Sequence, residues 1–285
     1  MVQLIECPRD AMQGIKEFIS TEKKVTYINE LLKVGFDTID VGSFVSPKAI
    51  PQMRDTAAVL SQLDLSQTRS KLLAIVANRR GAEAAAQQES IQYLGYPFSI
   101  SETFQLRNTN ATIEESLGRV QQIQDICLAN NKTMVVYISM GFGNPYGDIW
   151  NVEIVQKWVD RLAEMGIRIF SLSDTIGVSN PQSIQYLFSH LIPAYPQVTF
   201  GAHLHTQTYN WKEKIVAAYE NGCRRFDGAI RGYGGCPMAK DELTGNMATE
   251  NLLFYFDELE VDLHLDRAAF GRSMNLALEV FPQHD

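Results

Sequence analysis

Paired cysteines are missing from this chain. Its four cysteines, Cys7, Cys127, Cys223 and Cys236, form no CxxC pair, which argues against a structural zinc cluster or a thioredoxin-like site. Four thiols in 285 residues are also too few for a scaffold built on disulfides. Lys and Arg never run longer than two in succession, and the net charge is −8, so nucleic acid is not an expected partner. No apolar run approaches the ~20 residues of a membrane-crossing helix, so a membrane is not expected either. The GxGxxG fingerprint of an open dinucleotide-binding sheet is absent. No low-complexity tract divides the chain. No signal peptide opens it, Met1 leaves no room for a transit peptide before the first strand, and the final Pro-Gln-His-Asp is not a peroxisomal address. The expectation is reduced thiols and a cytoplasmic location.

What is present is a regular alternation. Strands are predicted near Gln3–Cys7, Thr38–Val41, Lys71–Val76, Phe98–Ser101, Met134–Ser139, Ile169–Ser173, Val198–Ala202 and Arg225–Ala229. Amphipathic stretches lie between them: Glu22–Val34, Ile113–Asn130, Val152–Met165, Pro181–Leu191 and Trp211–Asn221. Several open on a polar cap followed by acids and close near a glycine, such as Gly35, Gly166 and Gly222. Eight strand–helix units predict a TIM (β/α)8 barrel rather than an open sheet. The expected organisation is one domain over 1–285. Barrel strands fill about 1–230. A Gly-rich loop and closing helices, Ala248–Leu259 and Asp266–Val280, fill 231–285.

In such a barrel the chemistry sits on the loops after the strands. After the first strand comes Pro8-Arg9-Asp10; a charge pair there is either structural or functional. After the seventh come His203 and His205. Residues i and i+2 of a strand point the same way, so both imidazoles would face the barrel mouth. After the eighth comes Arg231-Gly232-Tyr233-Gly234-Gly235-Cys236-Pro237, then Thr244-Gly245-Asn246. That glycine density suits a plain connector or a lid that carries Cys236 inward. Cys7, Cys127 and Cys223 read as packing residues. Two histidines and an aspartate, joined by an asparagine carbonyl, make a mixed nitrogen–oxygen donor set. It suits Mg2+ or Mn2+ better than zinc.

These residues carry a resemblance. The matching stretches are Pro8-Arg9-Asp10, Ser43-Phe44-Val45-Ser46-Pro47 with Pro51-Gln52-Met53, and Ser101-Glu102 leading to Asn108, Asn110 and Ile113-Glu114-Glu115-Ser116. They continue with Asp174-Thr175-Ile176-Gly177, His203-Leu204-His205, Gly234-Gly235-Cys236-Pro237, and Gly245-Asn246 with Ala248-Thr249-Glu250. In this order, from residue 8 to 250, the chain resembles the 3-hydroxy-3-methylglutaryl-CoA lyases, within the metal-dependent TIM-barrel lyases and Claisen-type synthases.

The resemblance implies metal ligands Asp10, His203, His205 and Asn246. It implies Arg9 against the thioester carbonyl, Cys236 acting from a closing loop, and substrate contacts among Gln13, Asp40, Ser43, Asn108, Asn110, Asp174 and Thr175. The implied reaction is a retro-Claisen cleavage of an acyl-CoA to acetyl-CoA and a keto acid, acetoacetate for the usual substrate, in leucine degradation. A divalent cation would lower the pKa of the tertiary hydroxyl, and His203 is the first choice to accept its proton. Arg9 would meet the developing enolate oxygen, and Cys236 would protonate the carbanion. A homodimer is a family tendency. A lyase or condensing enzyme for another 3-hydroxyacyl-CoA, and a non-catalytic binder of CoA or metal, are the alternatives.

Several positions depart from the family pattern. Thr206 follows His205 where the lyases carry Asp. Asp40 stands where Glu is usual. Cys7 and Ala11 flank Pro-Arg-Asp where Gly is usual. The segment between Cys236 and Asn246 is about one residue longer, with Lys240-Asp241-Glu242 inside it. Ala11 is expected to crowd the pocket floor or alter a φ angle. Lys48, Arg54, Arg79 and Arg107 are the candidate cations for an anionic CoA.

Overall fold

A computed structural model describes residues 1–234 and 245–281. Eight parallel strands close into a ring in chain order. They are β1 (Gln3–Glu6), β2 (Thr38–Ser43), β3 (Lys71–Ile75), β4 (Ile91–Ser99), β5 (Thr133–Ser139), β6 (Ile169–Ser173), β7 (Thr199–His203) and β8 (Arg225–Gly228). Closure comes from β1 against β8, with Leu4 opposite Phe226 and Glu6 opposite Gly228. The helices outside are α1 (Pro8–Gln13), α2 (Thr21–Val34), α3 (Thr56–Leu60), α4 (Arg79–Ala86), α5 (Glu102–Thr109), α6 (Ile113–Ala129), α7 (Val152–Glu164), α8 (Pro181–Ala194), α9 (Trp211–Glu220), α10 (Thr249–Glu258) and α11 (Arg267–Val280). The expected (β/α)8 barrel with extra C-terminal helices is the observed architecture. Among the described residues no helix is long and apolar enough to cross a membrane.

Local sequence explains the helix starts. Ser20, Asn78, Ser101, Thr112, Asn151, Asn180 and Asp266 each accept a backbone N–H of the first turn through the side chain. Each satisfies a donor that the helix itself leaves unpaired. At Thr112 the bond is reciprocated by Glu115, which closes a capping box.

Two departures from the expected elements have clear causes. β4 begins at Ile91, seven residues before the expected Phe98. Gly95 and Pro97 read as strand breakers, but Pro97 lies beyond the last pair with β3, Ile75–Gly95. Its missing N–H therefore costs the β3–β4 ladder nothing. The segment after β1, expected as a loop, is the helix α1, with Pro8 at its first position. There the absent N–H would have been unpaired in any case.

The main core lies between the strands and the helices. Inside the ring, a small apolar cluster of Leu73, Ile75, Val135 and Tyr137 fills the β3–β5 side. The opposite side is polar. Arg225 and Asp227, two apart on β8, pair at 2.9 Å, and Ser171 on β6 donates to Asp227 at 3.0 Å. Gly201 on β7 makes room for that arginine, since a Cβ there would sit 2.9 Å from Arg225 Nη1. The C-terminal helix returns to the start of the chain. Tyr27 meets Phe281 edge-on at 5.7 Å and Phe36 meets Phe270 at 6.5 Å.

Glu6 ties these layers together from outside the ring. It is fully buried, and its two oxygens accept the Ile230 N–H at 2.9 Å and the Thr249 hydroxyl at 2.5 Å. Burial raises its pKa to about 8, against the lowering effect of those two bonds. The folded state therefore holds a proton that the unfolded chain gives up above about pH 4.5. This contribution to stability is complete below that pH and is lost as pH rises through about 8. Urea denaturation of the wild type is expected to show stability declining across this window. Glu6→Gln, which copies the neutral acid, is expected to flatten the decline. An unchanged slope in the variant would contradict a neutral Glu6.

Candidate active site

Helix α1 delivers a charged edge to the C-terminal mouth of the barrel. Arg9 spreads its guanidinium over three acceptors. Nε lies 3.2 and 3.0 Å from the two Asp40 oxygens, with Nη2 2.5 Å from Asp40 Oδ2. Nη1 donates to Asp10 at 2.9 Å and to Gln13 Oε1 at 2.8 Å. Gln13 in turn donates to Asp10 Oδ1 at 2.7 Å. The second Asp10 oxygen accepts from Asn246 Nδ2 at 2.7 Å. Asn246 also donates to the Tyr233 carbonyl at 2.9 Å, which leaves its own carbonyl oxygen as a free donor atom for a cation.

The two histidines arrive from β7. His203 is its last residue, and His205 forms an isolated antiparallel bridge with Asn246. Their ring centroids are 5.6 Å apart, as i and i+2 spacing predicts. Ligand atoms of Asp10, His203 and His205 all lie within 4.8 Å of one another. Protonation states suit a cation. Burial pushes the Asp10 carboxyl up, but Arg9, His203 and the Asn246 bond outweigh it and hold it below its ordinary value. Burial and then the neighbouring His203 push His205 down to about 4, so its ring is neutral near pH 7 and keeps a lone pair for a metal. An anionic oxygen, imidazole nitrogens and an amide carbonyl fit an octahedral divalent ion such as Mg2+ or Mn2+.

His203 has a support that the sequence does not reveal. Its Nδ1 lies 3.1 Å from Asp227 Oδ2. Asp227 is itself held low: burial raises it, but Arg225, His203 and Ser171 prevail. A carboxylate behind the ring fixes its tautomer and raises its basicity. Among the described residues Thr206, where the resemblance implies Asp, bonds through its N–H to Gly245 O at 2.9 Å and weakly through its hydroxyl to Met247 Sδ at 4.0 Å. Cys7, His203 and Asp227 form a second close group. Burial and the surrounding acids lift the Cys7 thiol well above its ordinary value, so it stays protonated and belongs to the supporting layer.

A cavity of about 400 Å³ opens beside these groups. Arg9, Asp10, Gln13, His203 and His205 line one side, with Ser139, Ser173 and Thr175 nearby. Val45, Ala49, Ile50, Ile75, Pro97 and Phe104 form the opposite, apolar wall. Tyr137 stands between them, edge-on to His203 at 5.7 Å. Among the described residues its buried hydroxyl has no hydrogen-bond partner, which marks it as a candidate substrate contact that sequence reasoning missed.

Of the expected substrate contacts, Gln13, Asn108 and Thr175 line this cavity. Asp40, Ser43, Asn110 and Asp174 are not among its lining residues. Asp40 is spent on Arg9, and Ser43 accepts the Val45 N–H at 3.1 Å. Asn110 is the left-handed cap of α5, with φ 51°. The Asp174 carboxylate takes both donors of Ser179 and the Lys214 ammonium. Of the candidate cations for CoA, Arg107 reaches the lining. Arg79 pairs with Glu83, Arg54 lies over the Phe18 ring, and Lys48 is exposed.

Ala11 sits in regular helix, so no φ constraint applies there. The crowding falls on Gly234 instead. A Cβ on that residue, at φ +96°, would approach Ala11 Cα at 2.9 Å and Asn246 Nδ2 at 2.7 Å. Residues 235–244, which include Cys236, lie outside the described residues.

Known proteins resemble this chain over most of its length. A family model described as HMGL-like matches residues 2–276. The chain is 34% identical over 254 residues to a hydroxymethylglutaryl-CoA lyase of Bacillus subtilis, covering 89% of this chain and 84% of that one. It is 33% identical over 271 residues to a 3-hydroxy-3-isohexenylglutaryl-CoA/hydroxymethylglutaryl-CoA lyase of Pseudomonas aeruginosa, covering 94% and 89%. An HMG-CoA lyase of Acinetobacter baumannii, solved with coenzyme A and 3-methylmalate, superimposes with a TM-score of 0.90. Its identity is 29%, over 98% of this chain and 91% of that one.

The His203–Asp227 contact can be tested directly. Burial disfavours the His203 cation, yet the bond and charge of Asp227, with the charge of Asp10, raise its pKa. In the metal-free protein, an NMR titration is expected to place His203 above the ordinary histidine value of about 6.5. Asp227→Asn is expected to bring it down. A His203 signal that titrates identically in both proteins would show that Asp227 does not set its basicity.

Proposed function

Because the chain belongs to the HMGL-like family and is a carbon–carbon lyase, we propose that it cleaves 3-hydroxy-3-methylglutaryl-CoA to acetoacetate and acetyl-CoA, as in leucine degradation. The observation that carries the reading is the convergence of Asp10, His203 and His205 within 4.8 Å beside a cavity that also presents Arg9. We assign these three side chains, with the Asn246 carbonyl, as ligands for Mg2+ or Mn2+. Bound there, the ion supplies a Lewis acid that makes the substrate's tertiary hydroxyl easier to deprotonate.

The chain's own residues do the rest. A carboxylate oxygen of Asp10 is the base we assign to take the hydroxyl proton, since His203 would give one ring nitrogen to the cation and has the other against Asp227. The C2–C3 bond then breaks, leaving a ketone on one fragment and an enolate on the thioester fragment. Arg9 holds its positive charge beside the position of that enolate oxygen. Burial works against its cation, but Asp40 and Asp10 more than compensate and keep it fully protonated. The guanidinium is already fixed by Asp40, Asp10 and Gln13, so little reorganisation accompanies the charge shift. Cys236 is the acid we assign to protonate the enolate carbon, on the strength of the family resemblance. Gln13, Asn108 and Thr175 contact the substrate, Arg107 meets the anionic CoA, and residues 1–285 act as one catalytic unit. The protein works in the cytoplasm, as a homodimer.

A second reading keeps the chemistry and lengthens the substituent on C3. The apolar wall of Val45, Ala49, Ile50, Ile75, Pro97 and Phe104 suits an alkyl or alkenyl group, and one relative's name includes an isohexenyl substrate.

Purified protein with Mg2+ is expected to release acetyl-CoA from 3-hydroxy-3-methylglutaryl-CoA and to stop when a chelator is added. Arg9→Met is expected to lower turnover by about 10²–10³-fold, the usual cost of losing an oxyanion donor. Cys236→Ala is expected to lower kcat while leaving KM nearly unchanged. Faster release from a long-chain 3-alkyl analogue would favour the second reading. No acetyl-CoA from any 3-hydroxy-3-alkylglutaryl-CoA would overturn both.

A further inference from the structure

Beyond β7 the chain leaves the sheet, and something other than strand pairing must hold the second histidine. The carbonyl of His203 accepts the Asp174 N–H at 2.9 Å. The carbonyl of Leu204 accepts the Met247 N–H at 2.9 Å, and the Thr206 N–H donates to Gly245 O at 2.9 Å. The carbonyl of His205 is bonded instead by a side chain. Lys214 Nζ, from α9, donates to it at 2.8 Å. The same ammonium donates to Asp174 Oδ2 at 2.9 Å and Gly177 O at 3.3 Å. Both members of the Lys214–Asp174 pair are almost completely buried, with side-chain exposures of 1% and 0%. Asp174 is anchored in turn by the Ser179 N–H at 3.0 Å and hydroxyl at 2.5 Å. Its own N–H is the group that holds His203.

We propose that Lys214 is a positioning residue for the metal centre: a buried ammonium strut, braced on Asp174, that fixes the backbone at His205 so that its ring converges with those of His203 and Asp10. The inference rests on the metal-site reading above and adds the device that holds its geometry. Packing alone does not call for a charge here. A buried ion pair is costly to desolvate, and apolar residues of similar volume fill such space as well or better. An apolar residue, however, has no donor for the His205 carbonyl. Without one, that carbonyl would be left unpaired in the interior, and the segment carrying the ring would settle elsewhere. The strut also joins the metal side of the site to its substrate side. Asp174 and Gly177 flank Thr175, which lines the cavity and accepts the Met140 N–H at 2.8 Å.

The test reads metal affinity rather than turnover. Metal-free wild type, Lys214→Met and the double variant Asp174→Asn with Lys214→Met are titrated with Mn2+ by electron paramagnetic resonance, and each is melted in parallel. The single variant leaves Asp174 buried and unpaired, so it is expected to lose more thermal stability than the double variant, in which no charge is stranded. Both are expected to bind Mn2+ about 10–100-fold more weakly, the usual effect of removing support behind a metal ligand. A control removes the Lys24–Asp55 pair, 2.7 Å apart and with neither residue in the cavity lining, as Lys24→Met with Asp55→Asn. It is expected to lose stability but to keep the wild-type Mn2+ affinity. If the folded double variant binds Mn2+ as tightly as the wild type, or if the control weakens binding equally, the strut is refuted. If the wild type itself takes up no Mn2+, the metal-site reading falls and the strut with it.

Discussion

An ionised carboxylate at Asp10, kept charged in a nearly dry place, is the constraint around which the mouth of the barrel is arranged. Asp10 is buried, and burial alone would neutralise it. Arg9, Gln13 and Asn246 surround it with donors. Each of those groups is tied down in its turn: Arg9 by Asp40, and Asn246 by the Tyr233 carbonyl. With His203 and His205, that negative charge brings ligand atoms within 4.8 Å of one another, where the proposed divalent ion would sit. A neutral Asp10 would remove the attraction and leave Arg9 facing one carboxylate where it now faces two.

Support for this centre comes from unexpected directions. The family's carboxylate after the second histidine is replaced by Thr206, and that position contributes little here. Asp227 reaches His203 from the neighbouring strand β8, where the two are register partners, and is held by Arg225 and Ser171 inside the barrel. The interior on that side is therefore polar by construction. Gly201 is a glycine because the arginine behind Asp227 occupies the space of its side chain.

Much of the fold is legible in the sequence because its signals are local. The apolar runs give the eight strands, and the caps at Thr112, Asn151 and Asn180 give helix starts within a residue. Pro97 and Gly95 hide the first half of β4, since their meaning depends on where the neighbouring ladder stops. The short helices α3 and α4 lack the length for a clear periodic stripe. The residues at the site separate along the same line. Asp10, His203, His205 and Asn246 stand in motifs, and the spacing of the histidines predicts their shared direction. Asp227, Tyr137 and Lys214 belong to ordinary strand and helix text; only closure of the ring and the docking of α9 bring them to the chemistry. Asp40 and Asp174 carry family positions, but their carboxylates are consumed by Arg9, Ser179 and Lys214.

The return of α11 onto α2 closes a circuit between early and late parts of the polypeptide. Asp10 lies in the first helix, and its partner Asn246 lies after the last strand, 236 positions away. A nascent chain thus carries one of the four proposed ligands, Asp10, until residue 203 is made. The proposed cation would have no complete seat until β8 has paired with β1 and Asn246 has come to rest on Asp10. Loading of the proposed metal would therefore be coupled to the final stage of biogenesis, and truncated translation products would be excluded from it by topology alone.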